Sequence, residues 1–496
     1  MFVWLVSSDE TALREFPLDD AWIHQVYARG LLRDGRPTYN EGAPEAGFSS
    51  LAWLLTQLPV ALFARITSVS PVIAAKLVSL LFGVVAAAGL GEVAYTLSGQ
   101  RRAGLATIAL VMFSAGFAFS AASAMEVTLT TACLAWGFHA LLANDARAPL
   151  RAGLWLGIAA AARLEVIPFV VIAATAAAVR EGPARERASD AVRVVAPMGA
   201  IVAAWGLLDL ALVGDPLPNT FHVKAGVPRL SNAFAYLWTH VILAEGAVAT
   251  AILAILMALG VRALVRAADV RARRALIVIV ATGVTLFAVT ITRTVGENVE
   301  FYGTRYFLPF TPLGAPFVAV GLEELVRALD ASVRVYALAL FALLGARIPS
   351  LLGARTSYAG HCADIATLYT SPARRLSTLP PEAVIAVEGA GSSRYWGGHR
   401  VIDLLGLNDH RVAHLYRVPA LSACVPLLDA PLALLVPADW VAALQQDYEL
   451  ALAARWDVAH WAALGGKRPQ TTVLLFARPR PARVDACRAR LQRVAP

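Results

Sequence analysis

Charge is scarce in this chain, and lysine is nearly missing. Of its 496 residues 16% are charged, against about 25% in an average soluble domain, and Lys76, Lys224 and Lys467 are its whole lysine complement. A basic patch of the kind that grips nucleic acid is therefore excluded, although the formal net charge is +8. Cysteine is equally thin. Cys133, Cys362, Cys424 and Cys487 stand apart with no Cys-x-x-Cys pair, which excludes a zinc ribbon, a redox motif and a disulfide-dense scaffold. Cys133 falls in an apolar run, so the other three allow at most one disulfide among themselves, in an oxidising compartment. No Gly-x-Gly-x-x-Gly turn and no Gly-x-x-x-x-Gly-Lys loop occurs, so a nucleotide finds no phosphate cradle here.

What the chain has instead is apolar length: 58% of it is hydrophobic. A helix needs about 20 such residues to cross about 30 Å of hydrocarbon. Runs of that order recur at 71–97, 104–122, 125–142, 192–213, 237–261, 275–292, 306–325 and 335–352. The chain reads as a polytopic, mostly α membrane protein. A further stretch, 152–179, is interrupted by Arg163 and Glu165. It is either one long helix with a buried ion pair or two short spans meeting at a charged tip. Arginine decides. The loops holding Arg101 and Arg102, Arg147 and Arg151, Arg180 and Arg193, Arg262 and Arg274, and Arg327 and Arg334 share one side only if 152–179 crosses twice. The positive-inside bias makes that side cytoplasmic, and the two short spans call for a thinned or protein-lined region.

Met1–Val6 is apolar, too short to span, and lacks the charged start of a signal peptide. It reads as the last turns of a first, truncated helix, giving about ten or eleven spans, with the N-terminus inside and the C-terminus outside. Residues 51–66 are short and hold Pro59, and read as an interfacial or half-inserted helix. After 353 the hydropathy falls. Short β-like runs at 383–388, 401–405, 432–436 and 472–477, with helical stretches such as 440–455, predict a soluble α/β domain over 354–496 behind a membrane domain over 1–353.

With that topology the outer span ends and the outer first loop (7–50) collect Asp19, Asp20, His24, Glu126, Arg163, Glu165, Lys224, Glu297, Glu300 and Arg305. Each charge at membrane depth costs about 2.5–3.5 kcal/mol, so their gathering on one face needs a cause. Asp19-Asp20 precedes a helix-like stretch, and one of the two suits a helix cap; adjacent carboxylates also make a general base or metal ligand, leaving a divalent metal open as cofactor. His24, one turn on, is more ordinarily a packed interfacial histidine. Glu126 suits the start of a helix. Arg163 and Glu165, two apart, do not face each other along a helix, so each needs a partner elsewhere. The loop 214–226 holds Asn219 and Lys224 between prolines and is either a rigid turn with a snorkelling lysine or a phosphate site at headgroup level. Arg305 is a similar case, with bidentate grip on phosphate available to it.

These residues resemble a known group. The run from Leu18 to Trp53 looks like the first outer loop of the GT-C superfamily, multi-span glycosyltransferases that use polyprenyl-phosphate sugars; more narrowly, it is similar to bacterial relatives of the mycobacterial terminal arabinofuranosyltransferase. The likeness is carried by Asp19-Asp20, the turn Tyr39-Asn40-x-Gly42, Met125-Glu126, Arg163-x-Glu165, and Pro218-Asn219-Thr220 with Lys224. Gly303-x-Arg305-Tyr306 and the tail run Val401-Ile402-Asp403 with Gly406-Leu407 and Asp409 complete it. Ala124 and Leu164 stand where the pattern has Gly and Pro.

The resemblance implies transfer of a sugar, arabinofuranose being one candidate, from a polyprenyl-phosphate donor to a hydroxyl of a cell-envelope glycan, lipid or protein, outside the bacterial plasma membrane. It implies a catalytic carboxylate at Asp19 or Asp20, with Lys224, Arg305, Arg163 and Asn219 toward the donor phosphate. His24, Glu126, Glu165, Tyr302, Asp403 and Asp409 are further pocket candidates. Glu388, Gly389 and Tyr395, with Asp403 and Asp409, either line an acceptor groove or dock the tail. The competing reading is a polytopic transporter or a lipid or glycan flippase, since buried charges also mark transport paths. The two readings separate on whether the Asp19-Asp20 pair lies near Lys224 or Arg305.

Overall fold

The computed structural model describes residue 6 and residues 9–224, 229–236, 246–292, 305–462 and 468–494. Tyr302, Gly303, Glu297, Glu300 and part of the expected span 237–261 lie outside the described residues. The chain forms two compact units: Met1–Ser8, Lys76–Ala204 and Gly226–Thr356 in one, Asp9–Ala75, Trp205–Ala225 and Ser357–Pro496 in the other.

Among the described residues five helices are long and apolar enough to cross a membrane: Pro71–Ser98, Ala184–Val213, Ala247–Ala267, Val270–Thr292 and Val333–Leu376. The chain is a multi-pass membrane protein. The last of these helical stretches runs on through the expected domain boundary near 353. The expected straight span 104–122 is instead two helices, Arg101–Met112 and Ala115–Ala122, bent by 67°; Ser114 breaks them, its hydroxyl accepting from the Phe117 N–H as a helix cap. Residues 152–179 divide as expected, into Ala148–Ala162, a 3₁₀ turn Leu164–Val166 and Ile167–Ala177. Arg163 sits extended at the break, with φ −152°. The run at 306–325 is α-helical only from Ala315, after a 3₁₀ turn at Thr311–Gly314. Pro309 and Pro312 lack the N–H a helix interior needs, and Pro316 takes the first turn, where none is needed.

The first unit packs its helices through small residues and cross-helix ion pairs. Gly260 and Gly321 let the helices Ala247–Ala267 and Ala315–Ala328 touch backbone to backbone: a Cβ on Gly321 would overlap the Leu256 carbonyl, and one on Gly260 that of Phe317. Glu323, 2% exposed, takes the guanidinium of Arg102 at 2.7 Å.

The second unit joins a segment from the first loop to the tail. Helix Asp20–Asp34 ends at Gly35 in the left-handed region, φ 68°, and leads into a small hairpin, β1 (Thr38–Asn40) with β2 (Ala43–Pro44). Helix Leu51–Thr67 follows, shorter than a span. The tail holds a five-stranded mixed sheet of β3 (Val384–Val387), β4 (Arg400–Asp403), β5 (Ala433–Pro437), β6 (Tyr448–Val458) and β7 (Gln470–Pro479), in spatial order β4-β3-β5-β7-β6. β3 pairs in parallel with β4 and β5, the crossover to β4 being helix Ala390–Gly397, while β7 is antiparallel to both β5 and β6. The four β-like runs of the sequence are strands. The expected helix at 440–455 is not one: only Val441–Leu444 is α-helical, and Tyr448 onward is β6. Its Ala- and Leu-rich sequence favours helix locally, but pairing along β7 overrides that preference. Cys424 and Cys487 are bonded beneath the sheet, the single disulfide that the spacing allowed.

Candidate active site

The sequence-predicted site residues fall into two clusters, one in each unit. In the first, Arg163 Nη1 lies 2.6 Å from Glu126 Oε1 and Nη2 lies 3.6 Å from Glu165 Oε1. Arg163 and Glu126 are both buried, so each neutralises the other out of water. Glu126 makes no cap bond to its own helix; its partner is the tip arginine. The Arg163 and Arg305 guanidinium carbons both sit over the Tyr306 ring, at 5.0 and 5.3 Å from its centroid.

In the second unit Asp19 and Asp20 part company. Asp19 is 7% exposed and does not cap its own helix. Its two oxygens accept the backbone N–H groups of Gly391 and Ser392, each at 2.8 Å, the first turn of helix Ala390–Gly397, 372 residues along the chain. A carboxylate suits that end of a helix, and Gly391 is what lets it in, because a Cβ there would overlap the Asp19 carbonyl. Burial raises the Asp19 pKa, and the two N–H bonds partly oppose the rise. Both Asp19 oxygens are thus held by the backbone of the tail helix. Asp20 turns the other way. Its carboxylate is 3.6 Å from Lys224 Nζ, with the side chains 24% and 27% exposed, so both reach solvent.

The surrounding contacts fix that geometry. Trp22 packs at a tilt against Tyr395, ring centroids 4.5 Å apart, and donates its indole N–H to Glu15 at 2.9 Å. Tyr39 donates its hydroxyl to the Ala390 carbonyl at 2.6 Å. Asn40 gives both ends of its amide to the Val401 backbone, accepting at 2.9 Å and donating at 2.8 Å, as a strand would along the free edge of β4. Asn219 donates to Glu45 at 3.3 Å, and the same Glu45 oxygen accepts the His410 N–H at 3.1 Å. His24 is buried within its helix. Asp403 binds the Leu405 and Asn408 N–H groups, and Asp409 caps helix His410–Leu415 and pairs with Arg411 at 2.9 Å. Both aspartates hold turns, and Tyr395 helps dock the first-loop helix.

Two carboxylates carry more weight than the sequence assigned them. Burial, then the nearby charge of Asp19, pushes Glu388 up to about 8. Burial and then Asp409 push Glu45 to about 8, and burial lifts Asp403 to about 6. Glu45 lies inside the quoted first-loop run, yet nothing in its neighbours marks it out: its partners are 174 and 365 residues away. Beside Glu45 opens a cleft of about 680 Å³, bounded also by Asn40, Arg394, Arg400, Asp409 and Arg411.

Compared with known proteins, residues 366–476 match a family model described as a domain of unknown function (DUF8728). No curated protein matches the sequence. Solved structures do match the fold. The crystal structure of ArnT from Cupriavidus metallidurans in the apo state has a TM-score of 0.61 at 16% identity, covering 95% of both chains. The same protein bound to undecaprenyl phosphate gives 0.60 at 14% identity, over 95% of this chain and 96% of that one. The archaeal oligosaccharyltransferase AglB from Archaeoglobus fulgidus, in complex with an inhibitory peptide and a dolichol-phosphate, gives 0.55 at 10% identity, over 90% and 69%. This chain has their GT-C fold. The narrower likeness to the arabinofuranosyltransferase is not shown by these structures.

Proposed function

We propose that this protein transfers a sugar from a polyprenyl-phosphate donor to an acceptor hydroxyl on the outer face of the bacterial plasma membrane. The observation that carries the reading is the Asp20–Lys224 pair, a carboxylate and a cation 3.6 Å apart and both open to solvent, on a fold shared with proteins solved with undecaprenyl phosphate and dolichol-phosphate. Asp20 is the base. When the donor phosphate arrives, Lys224 turns toward it, and the Asp20 carboxylate is released. The acceptor oxygen attacks the anomeric carbon, the bond from that carbon to phosphate breaks with its electron pair going to phosphate, and the acceptor proton passes to Asp20. Lys224 steadies the charge that develops on the departing phosphate. Asp19 is a positioning residue that holds Asp20 in register with the tail. The cleft beside Glu45, lined by arginines and carboxylates, suits a hydroxyl-rich acceptor. The disulfide fits the same orientation, since such bonds persist in oxidising compartments.

The test is incubation of purified protein with labelled polyprenyl-phosphate sugars and a glycan acceptor. Asp20→Asn should lower transfer by about 10²–10⁴-fold, the usual worth of a general base, with the thermal transition unchanged. Full activity in Asp20→Asn would remove the base from this position.

A further inference from the structure

Asp215, His222 and His414 take no part in the chemistry above, yet they meet at one point. Asp215 follows the end of helix Ala184–Val213, His222 lies on the short helix Asn219–Lys224, and His414 on helix His410–Leu415. One Asp215 oxygen, Oδ2, is 2.9 Å from His222 Nε2 and 3.0 Å from His414 Nε2. The three ligand atoms all lie within 4.8 Å of one another. The other oxygen, Oδ1, accepts the Leu217 N–H at 2.8 Å, which aims Oδ2 at the two imidazoles. The rings of His222 and His414 are 4.5 Å apart, and His410 packs on His414 at 4.1 Å.

We propose that Asp215, His222 and His414 bind a divalent transition-metal ion of the zinc class. Two imidazoles and one carboxylate are a donor set zinc takes readily, leaving a fourth position for water. Tetrahedral ligands at about 2.0–2.2 Å from zinc stand a little over 3 Å apart, so the two edges open by only a few tenths of an ångström to admit the ion. The bond from Oδ1 to the Leu217 N–H supplies the orienting outer contact such carboxylates have.

The placement gives the ion a task. It ties the turn at 215–222 to the tail helix His410–Leu415, the two segments Glu45 already bridges through Asn219 and His410. Lys224 stands two residues beyond His222, so the same clamp sets the lysine against Asp20. The metal is thus a staple that positions Lys224, and its binding does not depend on the sugar-transfer reading.

The experiment uses the full chain in detergent, stripped by chelator, exposed to zinc chloride and desalted. Metal content is read by mass spectrometry and stability by thermal unfolding. The expected result is one zinc per chain with a raised transition, both lost in Asp215→Asn and in the double variant His222→Ala/His414→Ala. Asp215→Asn keeps the side-chain shape and serves should the double variant fail to fold. Wild-type protein that holds no more zinc than Asp215→Asn, or an Asp215→Asn variant that keeps its full equivalent, overturns the site.

Discussion

The two units treat buried charge in opposite ways. In the helical unit, opposite charges meet directly: Arg163 with Glu126 at 2.6 Å, and Arg102 with Glu323 at 2.7 Å. In the unit that joins first loop to tail, like charges accumulate. Asp19, Glu388, Glu45 and Asp403 are carboxylates lifted above their ordinary range by burial. Backbone N–H groups hold several of them: Gly391 and Ser392 on Asp19, His410 on Glu45, and Leu405 and Asn408 on Asp403. Direct pairing makes a charge inert, and its use there is to fix one helix against another. A set of like charges held by peptide dipoles keeps its reactivity and its response to pH. The chemistry is assigned to the second unit because its Asp20–Lys224 pair, unlike the buried pairs of the first, reaches solvent.

Breaking a direct pair should cost most. Arg163→Ala leaves Glu126 buried without its closest partner, and the expected loss is about 3–5 kcal/mol, read as a lowered thermal transition in detergent. Restoring neutrality with Arg163→Ala/Glu126→Gln should recover part of it; no recovery would mean that the pair is not what holds those helices. Asp19→Asn should cost less, about 1–3 kcal/mol, since an amide keeps one acceptor and turns its NH₂ toward a backbone N–H. Hydrogen exchange at the Gly391 and Ser392 amides should quicken in that variant, and transfer should fall less than in Asp20→Asn. Unchanged exchange at those amides would show that Asp19 does not anchor the tail helix.

The pH response compares conditions rather than variants. Glu388 and Glu45 titrate at about 8 in the folded chain, against an ordinary 4.5. Folding therefore favours their protonated forms. The stability they contribute is complete below about 4.5 and is lost as the pH rises through about 8. Thermal transitions across that window should decline with rising pH, and the slope should flatten in Glu388→Gln. A variant with the wild-type slope would place the titration elsewhere.

Much of the helical unit was legible in the sequence, because a span announces itself by composition and the placing of the arginine loops called for a break within 152–179. The break at Arg163 came from that arithmetic, and the helix ends at Ala162 as it required. The kink at Ser114 was not legible, since a single serine in an apolar run gives no signal until its cap geometry is seen. In the tail, β6 was misread because Ala, Leu and Glu in Tyr448–Val458 favour helix, while its partner β7 lies beyond residue 469. The site divides in the same way. That Asp20 lies near Lys224 was anticipated from charge and topology. Asp19 reaching Gly391, and Asn40 completing the edge of β4, depend on contacts more than 350 residues apart, and no local pattern records them.

The proposed transfer requires the aspartate loop to lie outside the cell, where a lipid must carry the sugar. Glu41 is exposed on the turn between β1 and β2, while Cys133 and Cys362 are buried and Cys424 and Cys487 are bonded to each other. A Glu41→Cys variant should therefore react with a membrane-impermeant maleimide in intact spheroplasts. Labelling that appears only after the membrane is permeabilised would put the loop in the cytosol and contradict the account.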